Sequence, residues 1–284
     1  MSTGLILGAI AILGGLGIAF GILIALANSK LRVWEDPRVD GVAAMLPNNN
    51  CGACGFPGCR AFAEAAVAGK VKPAGCNVMD EDARADVAAY LGVEAGQASK
   101  VVARLLCAGG SDVAARKADY YGVQSCFAAV AVSGGGKACA WGCVGYADCA
   151  VACNYDAIAM SATGLPLVDI YKCIACGDCV DACPLNLFVL MPLDTHLIVQ
   201  CRNLLEGEAA TDVCSVACNA CGRCAADAPG LVRMQNGLAV VDYEHLELES
   251  RKAIERCPTG AIAWVEGAQF AGARRSPALV GSGE

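Results

Sequence analysis

Cys173, Cys176, Cys179 and Cys183, with Pro184 behind the last, form the run CIACGDCVDACP. Four soft thiolates at CxxCxxCxxxCP spacing hold a [4Fe-4S] cube, and in two-cluster chains the fourth cysteine of each run crosses to the other cube. A partner run should therefore stand nearby, and Cys139, Cys143, Cys149 and Cys153 precede it. The crossover rule pairs Cys139, Cys143 and Cys149 with Cys183, and Cys173, Cys176 and Cys179 with Cys153. Four-cysteine zinc sites use equally compact CxxC pairs. A third cysteine two residues on, followed by CP, belongs to iron–sulfur ligation instead. The chemistry implied is one-electron transfer, which needs no bond-making site on the chain.

A second group, Cys51, Cys54, Cys59 and the more distant Cys76, starts in NNNCGACGFPGC. Its glycines and Pro57 predict a tight loop whose amides face cluster sulfurs, where such hydrogen bonds tune potential. A zinc knuckle is the other reading of this spacing. Cys59 then opens CRAFAEAAVAGK, a predicted helix closed by Gly69. A further helix is predicted from its cap Asp80 to Gly92, with Ala83, Val87, Ala88 and Leu91 on its core face.

The last third repeats the ferredoxin pattern with losses. Cys218, Cys221 and Cys224 are followed by Ala228 and Pro229, so the CP position keeps its proline and lacks its thiol. GLAVVDYEHL parallels GLPLVDIYKC, yet no cysteine follows until Cys257 and Pro258. Under the crossover rule the missing ligands all belong to one cluster, and Cys218, Cys221, Cys224 and Cys257 complete the other. Cys107, Cys126, Cys201 and Cys214 are left over. Free cysteine is among the most buried residue types, so buried thiols are the default. A fifth cluster is the other reading, and Cys214 could also replace a neighbouring ligand.

The 20 cysteines among 284 residues point to metal or redox use in a reducing compartment rather than to disulfides. A net charge of −7, without a basic stripe, argues against nucleic acid as a partner. His196 and His245 are the only histidines and read as surface or packing residues. The glycine tract Gly14 to Gly21 has Phe20 where a dinucleotide fingerprint needs its third glycine, and it lies in an apolar run rather than after a strand. Catalytic residues are therefore expected to be none.

Leu5 to Asn28 is 24 residues without a charge, long enough to cross a bilayer as a helix. No Lys or Arg precedes it, as a signal peptide would require, whereas Lys30, Arg32 and Arg38 follow. The positive-inside rule places the rest of the chain in the cytoplasm, where thiols stay reduced. Gly4 with Gly8 and Gly17 with Gly21 make small-xxx-small spacings that suit another membrane helix.

Taken together, the lone span, the NxCGxCGxPGC loop from Asn49 to Cys59, YYGVQSC, CAWGCVGYADCAVAC and the ferredoxin repeats resemble the B subunit family of the Rnf ion-translocating ferredoxin:NAD oxidoreductase. The resemblance covers nearly the whole chain. Asn154 stands where the family has proline after Cys153, and the final repeat has ligands for one cluster instead of two. The family implies an electron-input subunit at the cytoplasmic face of the cell inner membrane, taking electrons from reduced ferredoxin. Its partners would be the lipid bilayer and the other membrane and cytoplasmic Rnf subunits, which reduce NAD and move sodium ions or protons.

The expected architecture is α+β with four [4Fe-4S] clusters. A single transmembrane anchor (1–30) leads to a linker and small helical cluster domain (31–98), then a two-cluster (99–198) and a one-cluster (199–266) ferredoxin-like unit and a flexible tail (267–284). The competing functional class is a membrane-anchored zinc scaffold. A brown protein that bleaches on reduction separates the first class from a colourless protein with stoichiometric zinc.

Overall fold

A computed structural model describes residues 3–31, 36–97, 99–243 and 245–273. Helix α1 (Thr3–Leu31) contains a stretch, Ile10–Lys30, that is long and apolar enough to cross a membrane. Its large side chains have no core to enter: Ile12 is 66% exposed and Leu13 70%. A helix apolar all round and unburied suits a lipid environment. Lys30 lies in its last turn. Arg38 lies further on, paired with Asp36, and Arg32 falls outside the described residues.

Three helices build the first globular part: α2 (Pro37–Met45), α3 (Cys59–Val67) and α4 (Glu81–Leu91). Asp36 and Asp80 cap α2 and α4 by accepting amide hydrogen bonds from Arg38 and Ala83. Gly92 ends α4 in the left-handed conformation that glycine adopts without strain. Val42, Phe62, Met79 and Val87 form the core these helices share, and Cys54, Cys59 and Cys76 pack on its edge.

The remainder repeats one order of elements. The first copy contains β1 (Val101–Leu105), α5 (Cys126–Ala131), α6 (Asp148–Val151), β2 (Ile158–Met160), β3 (Pro166–Val168), α7 (Asp178–Asp181) and β4 (Phe188–Pro192). The second has β5 (Leu197–Val199), α8 (Gly207–Val213), α9 (Arg223–Asp227), β6 (Val232–Gln235), β7 (Leu238–Val241), α10 (Lys252–Glu255) and β8 (Ile262–Trp264). The outer strands of each copy pair antiparallel, β1 with β4 and β5 with β8. The inner strands pair as β2 with β3 and β6 with β7. Val102, Leu105, Leu187 and Phe188 anchor the first core, while Leu197, Val199, Leu231 and Ile262 anchor the second. Met191, Ile198 and Val265 pack between the copies.

Two features were not anticipated. The segment expected to be a loose tail begins docked: Gln269 is 4% exposed, and its side chain accepts from the Leu105 amide and donates to the Leu105 carbonyl. One glutamine thus supplies both hydrogen bonds that the edge of β1 lacks, so the boundary drawn at Gly267 is too early; residues 274–284 lie outside the described part. Second, the insertion between β1 and α6 folds back so that Lys117 and Ala118 donate to the Gly136 carbonyl. Gly136 has φ +80, and a Cβ there would stand 2.0 Å from the Ala118 carbonyl oxygen. Gly136→Ala should cost roughly 2–3 kcal/mol, seen as a lower thermal midpoint of the purified chain, because neither the conformation nor the contact can relax cheaply.

Candidate iron–sulfur centres

Three loops share one backbone design. Cys143 to Cys149, Cys173 to Cys179 and Cys218 to Cys224 each span six positions. Each turns through two left-handed residues at matching places: Gly145 and Ala147, Ala175 and Gly177, Ala220 and Gly222. Non-glycine residues pay a steric penalty there, so the loops hold their shape against a local cost. In every loop the second left-handed residue precedes a short helix, α6, α7 or α9, whose second residue is a cysteine. That places the thiols of Cys149, Cys179 and Cys224 at helix starts facing the core.

The thiols gather in bowls. Cys51, Cys54, Cys59 and Cys76 line one of about 360 Å³. Cys153, Cys173, Cys176 and Cys179 line a second of about 340 Å³. A third, about 330 Å³, is lined by Cys218, Cys221, Cys224 and Cys257. Cys149 lies in the first repeat core, with Cys143 and Cys183 partly buried against that core. Cys139, however, lies elsewhere: it lines a bowl of about 300 Å³ with Cys107, Cys201 and Cys214. The pairing of Cys139 with Cys143, Cys149 and Cys183 therefore does not match its position, and the physical reason lies in the loop: Tyr146, not a cysteine, fills the middle place held by Cys176 and Cys221. The common six-residue interval was the sequence signal that would have excluded Cys139 from this loop.

Chemistry and geometry both suit cubane clusters. Among the described residues no group of three or more Cys, His, Asp or Glu closes on a point that could hold a single metal ion. A lone zinc needs its sulfurs drawn to about 2.3 Å, whereas a cube keeps its four thiolates apart around a bowl. Amides point at ligand sulfur: Ala157 donates to Cys153 Sγ and Leu187 to Cys183 Sγ, each at 3.4 Å. Such bonds stabilise thiolate and tune a bound cluster. Burial pushes the Cys143 and Cys179 thiols up to about 12 and Cys224 to about 11. Metal coordination is the means of holding such buried sulfur as thiolate. At Cys257 burial also pushes upward, but amides of Ile262, Thr259 and Ala261 with the Thr259 hydroxyl outweigh it, leaving this thiol below its ordinary value.

Asn77 ties the first bowl to the second. Its Oδ1 accepts from the Val101 amide at 2.6 Å, and its Nδ2 donates to the Ile174 carbonyl at 2.9 Å. The neighbours of Asn77 and Ile174 are Cys76 and Cys173, so one side chain fixes two ligand loops together. Arg104 stands on β1 and feels the Cys173 sulfur. It is 1% exposed, donates through Nη1 to the Gly267 carbonyl, and has Nε and Nη2 without a protein partner. Burial lowers its pKa, and the nearby Cys173 sulfur raises it. A buried cation favours the more negative, reduced form of an adjacent cluster. Arg104→Met should accordingly lower that midpoint potential by on the order of 50 mV in an EPR-monitored redox titration.

Four-cysteine bowls on a repeated α+β scaffold, behind an apolar helix, define an iron–sulfur electron carrier. The Fe-S cluster family model matches residues 46–78, and the 4Fe-4S binding domain model matches residues 166–187. The chain is 41% identical to the B subunit of the Na(+)-translocating ferredoxin:NAD(+) oxidoreductase complex of Acetobacterium woodii, over 89% of this chain and 76% of that protein. It is 33% identical to the B subunit of the ion-translocating oxidoreductase complex of Methanosarcina acetivorans, over 92% and 98%. The B subunit of the proton-translocating ferredoxin:NAD(+) oxidoreductase complex of Clostridium ljungdahlii is 34% identical, over 87% and 88%. The chain belongs to this family of ion-translocating oxidoreductase B subunits.

Proposed function

We propose that this chain is the electron-input subunit of a membrane Rnf complex, accepting electrons from reduced ferredoxin and passing them toward NAD reduction coupled to movement of sodium ions or protons. The observation that carries this is the set of four-cysteine bowls, two of them joined directly through Asn77. [4Fe-4S] clusters, when bound, supply one-electron transfer at potentials set by charge, sulfur hydrogen bonds and exposure. Cys51, Cys54, Cys59 and Cys76 would hold one, Cys153, Cys173, Cys176 and Cys179 another, and Cys218, Cys221, Cys224 and Cys257 a third. Cys143, Cys149 and Cys183 would contribute to a fourth. The protein's own work is to keep these thiolates apart and hydrogen-bonded, and to hold neighbouring loops in fixed register.

The two repeats are read as ferredoxin-like units, and α1 as a single-pass anchor that leaves them on the cytoplasmic side. The family relationship and the loops shared by the repeats support this reading. Anaerobically purified complex should be brown and should bleach when reduced ferredoxin is added. A colourless preparation with stoichiometric zinc and no acid-labile sulfide would overturn it.

A further inference from the structure

We infer that Cys107, Cys139, Cys201 and Cys214 hold a fifth [4Fe-4S] cluster, and that Cys126 completes the site of Cys143, Cys149 and Cys183. The inference rests on the iron–sulfur reading above and extends it to all 20 cysteines.

The Cys107 bowl is built like the others. Its volume, about 300 Å³, is close to theirs, and four thiols line it. Its sulfurs also receive amides. Asn203 and Cys218 donate to Cys201 Sγ at 3.4 and 3.3 Å, and Cys143 donates to Cys107 Sγ at 3.4 Å. These match the bonds at Cys153 and Cys183. Gly109 keeps the cradle open: a Cβ there would stand 3.0 Å from Cys214 Sγ and 3.7 Å from Cys107 Sγ. Asn203 gives independent evidence. It lines the bowl, is 1% exposed, and its Nδ2 has no partner. A buried amide donor is costly to leave unmet, and a cluster sulfide in the bowl would accept its hydrogen bond.

Cys126 solves the other half. The loop from Cys143 to Cys149 follows the backbone of its two relatives but carries Tyr146 where they carry Cys176 and Cys221. Asp148 holds the start of α5 on this loop, accepting from Ser125 Oγ at 2.9 Å and the Phe127 amide at 3.2 Å. The residue between them is Cys126. It is buried, and amides of Asp148 and Tyr146 face its sulfur. Asp178, the counterpart of Asp148, turns its amide to Cys176 in the same way. Cys149 in turn feels the sulfurs of Cys143, Cys126 and Cys183, and after them that of Cys179. A thiol from outside the loop thus fills the middle ligand place and frees Cys139.

The fifth bowl sits between the repeats. Cys107 follows β1 and Cys201 follows β5, the equivalent strand. Cys143, which donates to Cys107, is a ligand of the first repeat, and Cys218, which donates to Cys201, is a ligand of the second. One peptide group therefore links this bowl to each neighbouring site.

Iron and acid-labile sulfide in the anaerobically purified full chain test the inference. About 20 of each per chain are expected, against about 16 if Cys107, Cys126, Cys201 and Cys214 are plain thiols. Pairs of substitutions then sort the ligand sets. Cys139→Ala with Cys201→Ala should lose about four irons in total, because both break one cluster, whereas Cys139→Ala with Cys143→Ala should lose about eight. EPR signals of the other clusters report that each variant has folded. Retention of all iron by Cys201→Ala, or a wild-type count of about 16, overturns the fifth site, and retention of all iron by Cys126→Ala overturns its place beside Cys143; either leaves the relay intact. Absence of sulfide altogether overturns the iron–sulfur reading itself. If variants fail to accumulate, the wild-type count decides.

Discussion

Cys179→Ala should leave the purified chain about four irons short and drop ferredoxin-dependent reduction of the assembled complex to background. Cys179 is buried at the start of α7. Burial pushes its thiol up to about 12, so the site favours a thiolate only while metal is bound. Alanine offers no donor, and the packed core around Val168 and Cys173 leaves little room for a replacement ligand. Under the proposed ligand crossover the loss is selective, since Cys183, just beyond the end of α7, would serve the neighbouring site. Iron analysis, EPR spin quantitation and the reduction assay give three readouts. An unchanged iron count would show that the second bowl has been assigned the wrong ligands.

Leu16→Arg combined with Phe20→Arg should move the chain from the membrane to the soluble fraction. The two positions lie one turn apart in the middle of α1, 51% and 61% exposed. Each guanidinium near the bilayer centre costs roughly 2.5–3.5 kcal/mol on insertion scales, so the pair costs roughly 5–7 kcal/mol. Among the described residues, none of the four buried hydrophobic cores uses a side chain of α1, so iron content should not change. Carbonate extraction followed by iron analysis of both fractions measures this. Retention in the membrane would mean that other subunits, rather than α1, hold the chain there.

Local features of the fold were legible because local chemistry specifies them. Asp80 and Gly92 mark both ends of α4, and Cys59 opens α3. Thiols close in sequence, such as Cys51, Cys54 and Cys59, sit together in one bowl. Features made by distant segments were not legible. The pairing of β1 with β4 joins Val101 to Pro192. Gln269 completes an edge 164 positions away. Cys126 reaches its loop only because the chain around Gly136 doubles back, and the Cys107 bowl draws on four separate segments. Counting cysteines along the chain favoured Cys139 as a partner of Cys143, whereas the shared backbone of the three loops and the hold of Asp148 on the start of α5 favour Cys126.

The pairing of outermost strands also bears on biosynthesis. β1 cannot begin to meet β4 until the ribosome has delivered Phe188, by which time every cysteine from Cys107 to Cys183 has emerged. Until then the outer sheet of the repeat has not formed. The same holds for β5 and β8 around Cys201 to Cys257. Metal can thus be loaded into exposed loops and sealed afterwards, rather than threaded into a shell already shut.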